Sequence, residues 1–226
     1  VSNSTYNVKG TPRSLLVWKT LAEVNILAIG THSHLYIQFG GVLYDITPLR
    51  KTSSNVNDCF TVVDESTTVT VTDSSHGGAT GDWVTISASA AVGGITPIGN
   101  YEITVTTSNA YTIVHSAPGT SGATGGGGAT DIAYSISPGV DNASGGLGWG
   151  SGSWNDSTWN TARVIGSGVA VELTYWALSN WGEDLLATVR GGKTFLWDAS
   201  GGVGTRAAAL TNAPITSKMS TVSMET

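Results

Sequence analysis

With a single cysteine, Cys59, the chain can form no internal disulfide, and no histidine stands near it to make a metal site or an activated thiol. Charge is sparse as well. Charged residues are 12% of the 226 positions, about half the share usual in a globular domain, so much of the surface is expected to lie against other subunits. Ten basic residues stand against sixteen acidic ones, a formal net charge of −6, and Arg50-Lys51 is the only adjacent basic pair. A general nucleic-acid-binding surface needs clustered Lys and Arg and is excluded on that ground. No apolar run approaches the ~20 residues of a membrane span. There is no basic start followed by an apolar core, as a signal peptide has. Walker loop, dinucleotide fingerprint and Gly-x-Ser-x-Gly elbow are all missing from the sequence.

What remains is glycine, threonine, serine and short apolar runs. Thirty glycines and almost no stretch of helical periodicity point to an all-β protein. Leu185–Val189 and Thr194–Trp197 flank Gly191-Gly192, which reads as two antiparallel strands around a tight turn. An aromatic-rich strand, Leu173 to Gly182, leads into them. The same order recurs near the N-terminus, where Leu16–Gly30 precedes Leu35–Asp45 with a Phe39-Gly-Gly-Val42 turn and a Thr47-Pro48 stop. Laying Asn25-Ile-Leu-Ala over Asp184-Leu-Leu-Ala brings Trp18 within one residue of Trp176, and Leu35-Tyr36 close to Phe195-Leu196. Two copies of one β-module are therefore expected. Such modules stack, because a short sheet cannot bury its face alone.

Between them the texture changes. Thr67–Thr72 alternates with period two, and Asp82–Ser87, Asn100–Thr106 and Ala110–His115 follow as further strands. Arg50 to Asp58 reads as a polar connection, and Pro118 to Gly128 as a linker or glycine-lined edge. The expected division is a first β-module over 1–64, an inserted small β-barrel or sandwich over 65–130, and a second β-module over 131–226. Loops accept such insertions at small entropic cost. Val1 in place of Met, and a strand-like approach from Pro214 onward, suggest a segment of a longer protein.

Trp149, Trp154 and Trp159 are spaced five apart, matching neither a strand face nor a helix face. They read as a glycine-rich loop that docks tryptophans on its own sheet or on a neighbouring subunit, or that stacks them on sugar C–H groups. With Trp181 they are the candidate interface or glycan contacts. No catalytic, cofactor or metal residues are assigned. His32 and His34 lack a third ligand nearby. Asp64-Glu65, Glu183-Asp184 and Asp198 sit at strand ends, where turn and capping roles are ordinary, although paired carboxylates could in principle serve a glycosidase. Asn3, Asn142 and Asn155 match the Asn-x-Ser/Thr pattern, which means nothing without a secretory route.

Trp176-Ala-Leu-Ser-Asn-Trp-Gly-Glu-Asp-Leu-Leu186, Arg190-Gly-Gly, Leu196-Trp-Asp198 and Thr205-Arg-Ala-Ala208 resemble a pattern in tail proteins of tailed bacteriophages. Trp18-Lys-Thr, Ile29-Gly-Thr31 and Tyr44-Asp-Ile-Thr-Pro48 resemble the same proteins. The resemblance covers residues 12–62 and 132–212. It implies a virion structural protein of the tail nozzle or hub kind, with a partial β-propeller-like domain assembled as a ring of copies through which DNA passes. Other tail or capsid proteins would be its neighbours, and it would be made in the bacterial host cytoplasm and reside in the virion. It implies no enzyme and no cofactor. A host-surface glycan-binding module and a capsid decoration protein stand as alternatives. Separately, His76-Gly77, Gly81-Asp82-Trp-Val84, Gly93-Gly94, Gly99-Asn-Tyr101 and Tyr111-Thr-Ile113 resemble a small β-domain similar to the first catalytic-cysteine half-domain of ubiquitin-activating enzymes. That implies a β-scaffold without catalysis, since Cys59 lies outside it.

Overall fold

A glycine pair sets the last hairpin of the first sheet. Gly40 and Gly41 both take positive φ, +59° and +82°, the backbone that a two-residue turn between right-twisted strands needs. They join β3 (Leu35–Phe39) to β4 (Val42–Asp45), and β1 (Pro12–Lys19) and β2 (Asn25–Thr31) precede them in an up-and-down sheet of order β1-β2-β3-β4. The computed structural model describes residues 7–139 and 174–223. Among these the protein is all-β, with four antiparallel sheets, none closed into a barrel, and one 3-10 turn at Ala199–Gly201.

The middle of the chain forms a sandwich. β6 (Phe60–Val62), β7 (Thr68–Thr72), β10 (Thr104–Thr107), β11 (Ala110–Val114) and β12 (Ala123–Gly126) make a sheet of order β10-β11-β7-β6-β12. β5 (Leu49–Asn57), β8 (Trp83–Ala88), β9 (Gly99–Glu102) and β13 (Ala129–Ser135) make the other, of order β5-β13-β8-β9. Phe60, Val69, Val71, Val84, Ile86, Ile113 and Ile132 fill the space between them. Arg50 to Asn57 is thus a strand and not a connection. Apart from Val56, which packs on the core, its side chains are Arg, Lys, Thr, Ser and Asn, so it carries no apolar alternation, and its place comes from the β13 ladder. Asn100–Thr106 is likewise two strands, broken where Ile103 turns inward and donates its N–H to Asp82 O. The glycine-rich exit contains an edge strand, β12.

A polar network lies inside this sandwich. The Tyr134 hydroxyl donates to Asp73 Oδ2 at 2.6 Å, as does Ser53 Oγ at 2.7 Å, and the Tyr111 hydroxyl is 3.3 Å from that of Tyr134. Gly78 N–H donates to His76 Nδ1, so the ring proton is on Nε2 and donates to Thr107 O. Burial pushes the Tyr111 and Tyr134 phenols above their ordinary value, which keeps both neutral. Replacing Tyr134 by Phe takes a donor from a buried carboxylate; a loss of about 1–3 kcal/mol is expected in chemical denaturation.

The chain then returns to a second up-and-down sheet. It comprises β14 (Trp176–Trp181), β15 (Asp184–Val189), β16 (Thr194–Trp197) and β17 (Ala208–Ala209), in that order. This C-terminal meander shares one core with the N-terminal meander, filled by Trp18, Ile26, Ala28, Ile37, Trp176, Leu185, Ala187, Phe195 and Trp197. Trp18 and Trp197 meet edge to face at 6.4 Å, and Trp18 Nε1 donates to Glu183 O. Gly30 lets β14 approach, because a Cβ there would stand 2.9 Å from Trp176 Cβ. Arg206 bonds Asp45 and Thr47 O across the seam.

How the meanders meet follows from the pleat. In a strand, each residue points its N–H and C=O at one neighbouring strand and its side chain at one face, and both reverse at the next residue. With L-residues the two are tied. In any up-and-down sheet, second-strand residues that bond the third strand project from one face, and those that bond the first strand from the other. In the N-terminal meander Thr31 N–H bonds His34 O toward β3. Ile26 and Ala28, of opposite parity, therefore bond β1, and these are the buried ones. In the C-terminal meander Val189 N–H bonds Lys193 O toward β16. Leu185 and Ala187 have the same parity as Val189, so they bond β16, and these are the residues in the shared core, while Leu186 and Thr188 are buried on the other face. The meanders therefore bury opposite faces. They stack front to back, a relation that a rotation repeats, and not face to face as a two-fold would place them.

This corrects the sequence overlay. Asn25-Ile-Leu-Ala and Asp184-Leu-Leu-Ala look alike but are one residue out of phase in their own sheets. Trp18 pairs with Ile26 near the hairpin end of β1, whereas Trp176 pairs with Val189 at the far end of β14. The connections differ: residues 20–24 join the first pair of strands, while only Gly182-Glu183 joins the second.

Candidate functional site

A cleft of about 630 Å³ opens between the sandwich and the C-terminal meander. Its floor includes Ile136, Val189 and Phe195, and its polar side chains among the described residues are Arg50, Asp82, Ser137, Lys193 and Arg206. Both arginines are matched: Arg50 meets Asp82 at 2.8 Å, and Arg206 meets Asp45 at 3.1 Å. Among the described residues Asp82 is the cleft's one carboxylate. It accepts from Arg50 and Ala79 N–H through Oδ2, and from Ser137 Oγ through Oδ1. A carboxylate so engaged holds the cleft wall and is poorly placed as a free base. The cleft suits a small ligand with an apolar body.

The other acidic candidates do structural work. Glu183 Oε1 accepts from Leu21 N–H and ties the two meanders; Asp184 Oδ1 accepts from Ala199 N–H. Asp198 caps the 3-10 turn, and hydrogen bonds from the Ser200 hydroxyl and backbone hold its carboxyl below the usual range. Asp64 accepts from Glu65 N–H. Among the described residues no group of three or more His, Cys, Asp or Glu is placed to hold a metal. His32 Nδ1 accepts from Thr11 N–H and His115 Nδ1 from Ala117 N–H, as turn acceptors. Cys59 is buried, and burial pushes its thiol up, away from the thiolate that a nucleophile requires.

His34 is different. It is buried at the seam of the N-terminal meander and the sandwich, stacked on Tyr36 at 5.6 Å and edge-on to Trp83 at 5.2 Å. Its Nδ1 lies 2.9 Å from Ser33 Oγ. Burial lowers its pKa to about 4; Arg206, His32 and Lys9 act in the same direction, and Asp45 opposes them.

Of the tryptophans singled out, Trp149, Trp154 and Trp159 lie outside the described residues. Trp181 is 59% exposed at the hairpin end of β14, on the face turned away from the shared core. The residues that sequence reasoning missed are on the outer face of the N-terminal meander. Leu15 and Val17 are 66% and 64% exposed there, opposite Ile29 and Leu27 in the β1–β2 register. The signal was present: Leu15-Leu16-Val17-Trp18 and Ile26-Leu27-Ala28-Ile29 are apolar without interruption. A strand with one wet face alternates, and a continuous apolar run marks a strand meant to be covered on both.

No family model matches the chain, and no curated protein matches it. Among solved structures it is similar to phage phi92 endosialidase, with 15% identity and a TM-score of 0.34, over 81% of this chain and 27% of that one. The chain thus spans about a quarter of that protein, and a likeness at this level transfers no activity.

Proposed function

We propose that this chain is a virion structural protein of a tailed bacteriophage, a ring-forming component of the tail nozzle or hub through which DNA passes. The observation that carries it is the front-to-back stacking of two four-stranded meanders. That is how propeller blades pack, and it leaves an apolar sheet face for the next unit. Low charge supports the same reading, since a subunit held among copies of itself needs little solvated surface. The acidic balance suits a channel, because repulsion keeps passing DNA from adhering. The sandwich is a scaffold in this proposal, reaching from residue 49 to 135, and the chain acts without catalysis or cofactor.

Particle imaging of the purified protein tests the proposal. A closed ring with a central channel is the expected result; a stable monomer at tens of micromolar concentration would sink it. A host-glycan-binding role is the second reading, favoured by the exposed Trp181 ring. On that reading Trp181→Ala abolishes binding on a glycan array, whereas the ring reading expects no glycan signal from either protein.

A further inference from the structure

We propose that the cleft between the sandwich and the C-terminal meander binds a small monoanion, a carboxylate on an apolar body. The site lies within one chain, so it stands whether or not the chain assembles into a ring. Its volume of about 630 Å³ is that of a small-molecule pocket. Much of its floor is one end of a single sheet face. Val189 N–H bonds Lys193 O, and Phe195 pairs with Ala209. By the two-residue period of a strand these four side chains leave the sheet on the same side, and all four line the cleft. Phe195 is held edge to face by Trp176 at 6.1 Å. The turn before Lys193 is fixed by the C-terminal segment, where Gly191 N–H donates to Ser217 O and Ser217 N–H to Gly192 O. The apolar surface is thus preformed, with an ammonium at its rim.

Charge selects the ligand. Arg50, Lys193 and Arg206 line the cleft, with Asp82 as the one carboxylate among the described residues, in a chain whose formal net charge is −6. Asp82 already accepts from Arg50, Ala79 N–H and Ser137 Oγ, so a cationic ligand meets no free carboxylate among the described residues. Arg50 is offset by Asp82, and Arg206 by Asp45. Lys193 remains. Among the described residues its ammonium has no hydrogen bond or ion pair. One uncompensated positive charge suits one negative charge on a ligand, and not the near-double charge of a phosphate monoester. Arg50 adds donors from the opposite wall. It bonds Asp82 through Nη1, and among the described residues its Nη2 and Nε groups make no hydrogen bond. Unfilled charged donors beside an apolar floor are what hold and orient a carboxylate.

Calorimetric titration of the full chain with naphthoate, the neutral naphthylmethanol and naphthyl phosphate tests the site. One-site binding of naphthoate is expected, with the alcohol about tenfold weaker. Lys193→Gln, at an exposed position, is expected to weaken naphthoate about tenfold and to leave the alcohol unchanged, a split that a merely structural change would not produce. Ala209→Trp fills the floor opposite Phe195 and is expected to abolish binding of both, with the circular dichroism spectrum unchanged. Equal affinity for acid and alcohol, or an unaltered Lys193→Gln chain, would overturn the role of the ammonium. Tighter binding of naphthyl phosphate would overturn the single charge. Naphthoate that still binds the Ala209→Trp chain is bound elsewhere, and a wild-type chain that binds none of the three has no such site.

Discussion

Trp176→Ala is expected to cost about 3–5 kcal/mol, the range for truncating a large buried aromatic whose site cannot collapse. Trp176 is fully buried at the junction of the meanders, edge to face with Phe195 at 6.1 Å. Gly30 makes the cavity hard to refill, since β2 brings backbone and no side chain to that spot. The loss falls on one core of two. Trp176 belongs to the cluster shared by the meanders, while the sandwich has its own cluster around Phe60, Val71 and Ile86. Denaturation followed by near-ultraviolet circular dichroism should therefore show an early transition for the meanders, separate from that of the sandwich. Trp181→Ala is the control. Its ring is more than half exposed, so a change within about 0.5 kcal/mol is expected. Equal losses from the two substitutions would mean that the shared core is not what holds the meanders together.

The hairpins were legible because glycine pairs at Gly40-Gly41 and Gly191-Gly192 leave few other backbone choices. What failed to show has physical reasons. β5 is held by pairing with β13, some eighty residues away in sequence, and between Leu49 and Val56 its own side chains say nothing of burial. The phase between the two meanders depends on which neighbour each residue bonds, which composition does not encode; similarity of two tetrapeptides suggested the wrong one. Seams such as Arg206–Asp45 and Trp18–Glu183 join residues 161 and 165 apart, beyond any local pattern. The outer face of β1 was legible from its unbroken apolar run. Its significance needed the sheet around it.

His34 makes the seam between the N-terminal meander and the sandwich sensitive to acid. Its imidazole is packed between Tyr36 and Trp83, and among the described residues no carboxylate is bonded to it. Burial lowers its pKa from the ordinary 6.5 to about 4. Above pH 6.5 the ring is neutral both folded and unfolded, and the fold has its full stability. Between 6.5 and 4 the unfolded chain takes up a proton that the folded chain refuses, so stability falls steadily as pH drops. Below about 4 both states are protonated and the loss stops growing, at about 3 kcal/mol. Asp45 would share its charge with the new imidazolium but is already committed to Arg206, which repels it. His34→Phe keeps the stacking and removes the titration. Melting temperatures between pH 7 and 4 should fall more steeply for the wild type than for this variant. Parallel curves would mean that the imidazole reaches water and a proton without opening the seam, and that the acid sensitivity lies in the carboxylates.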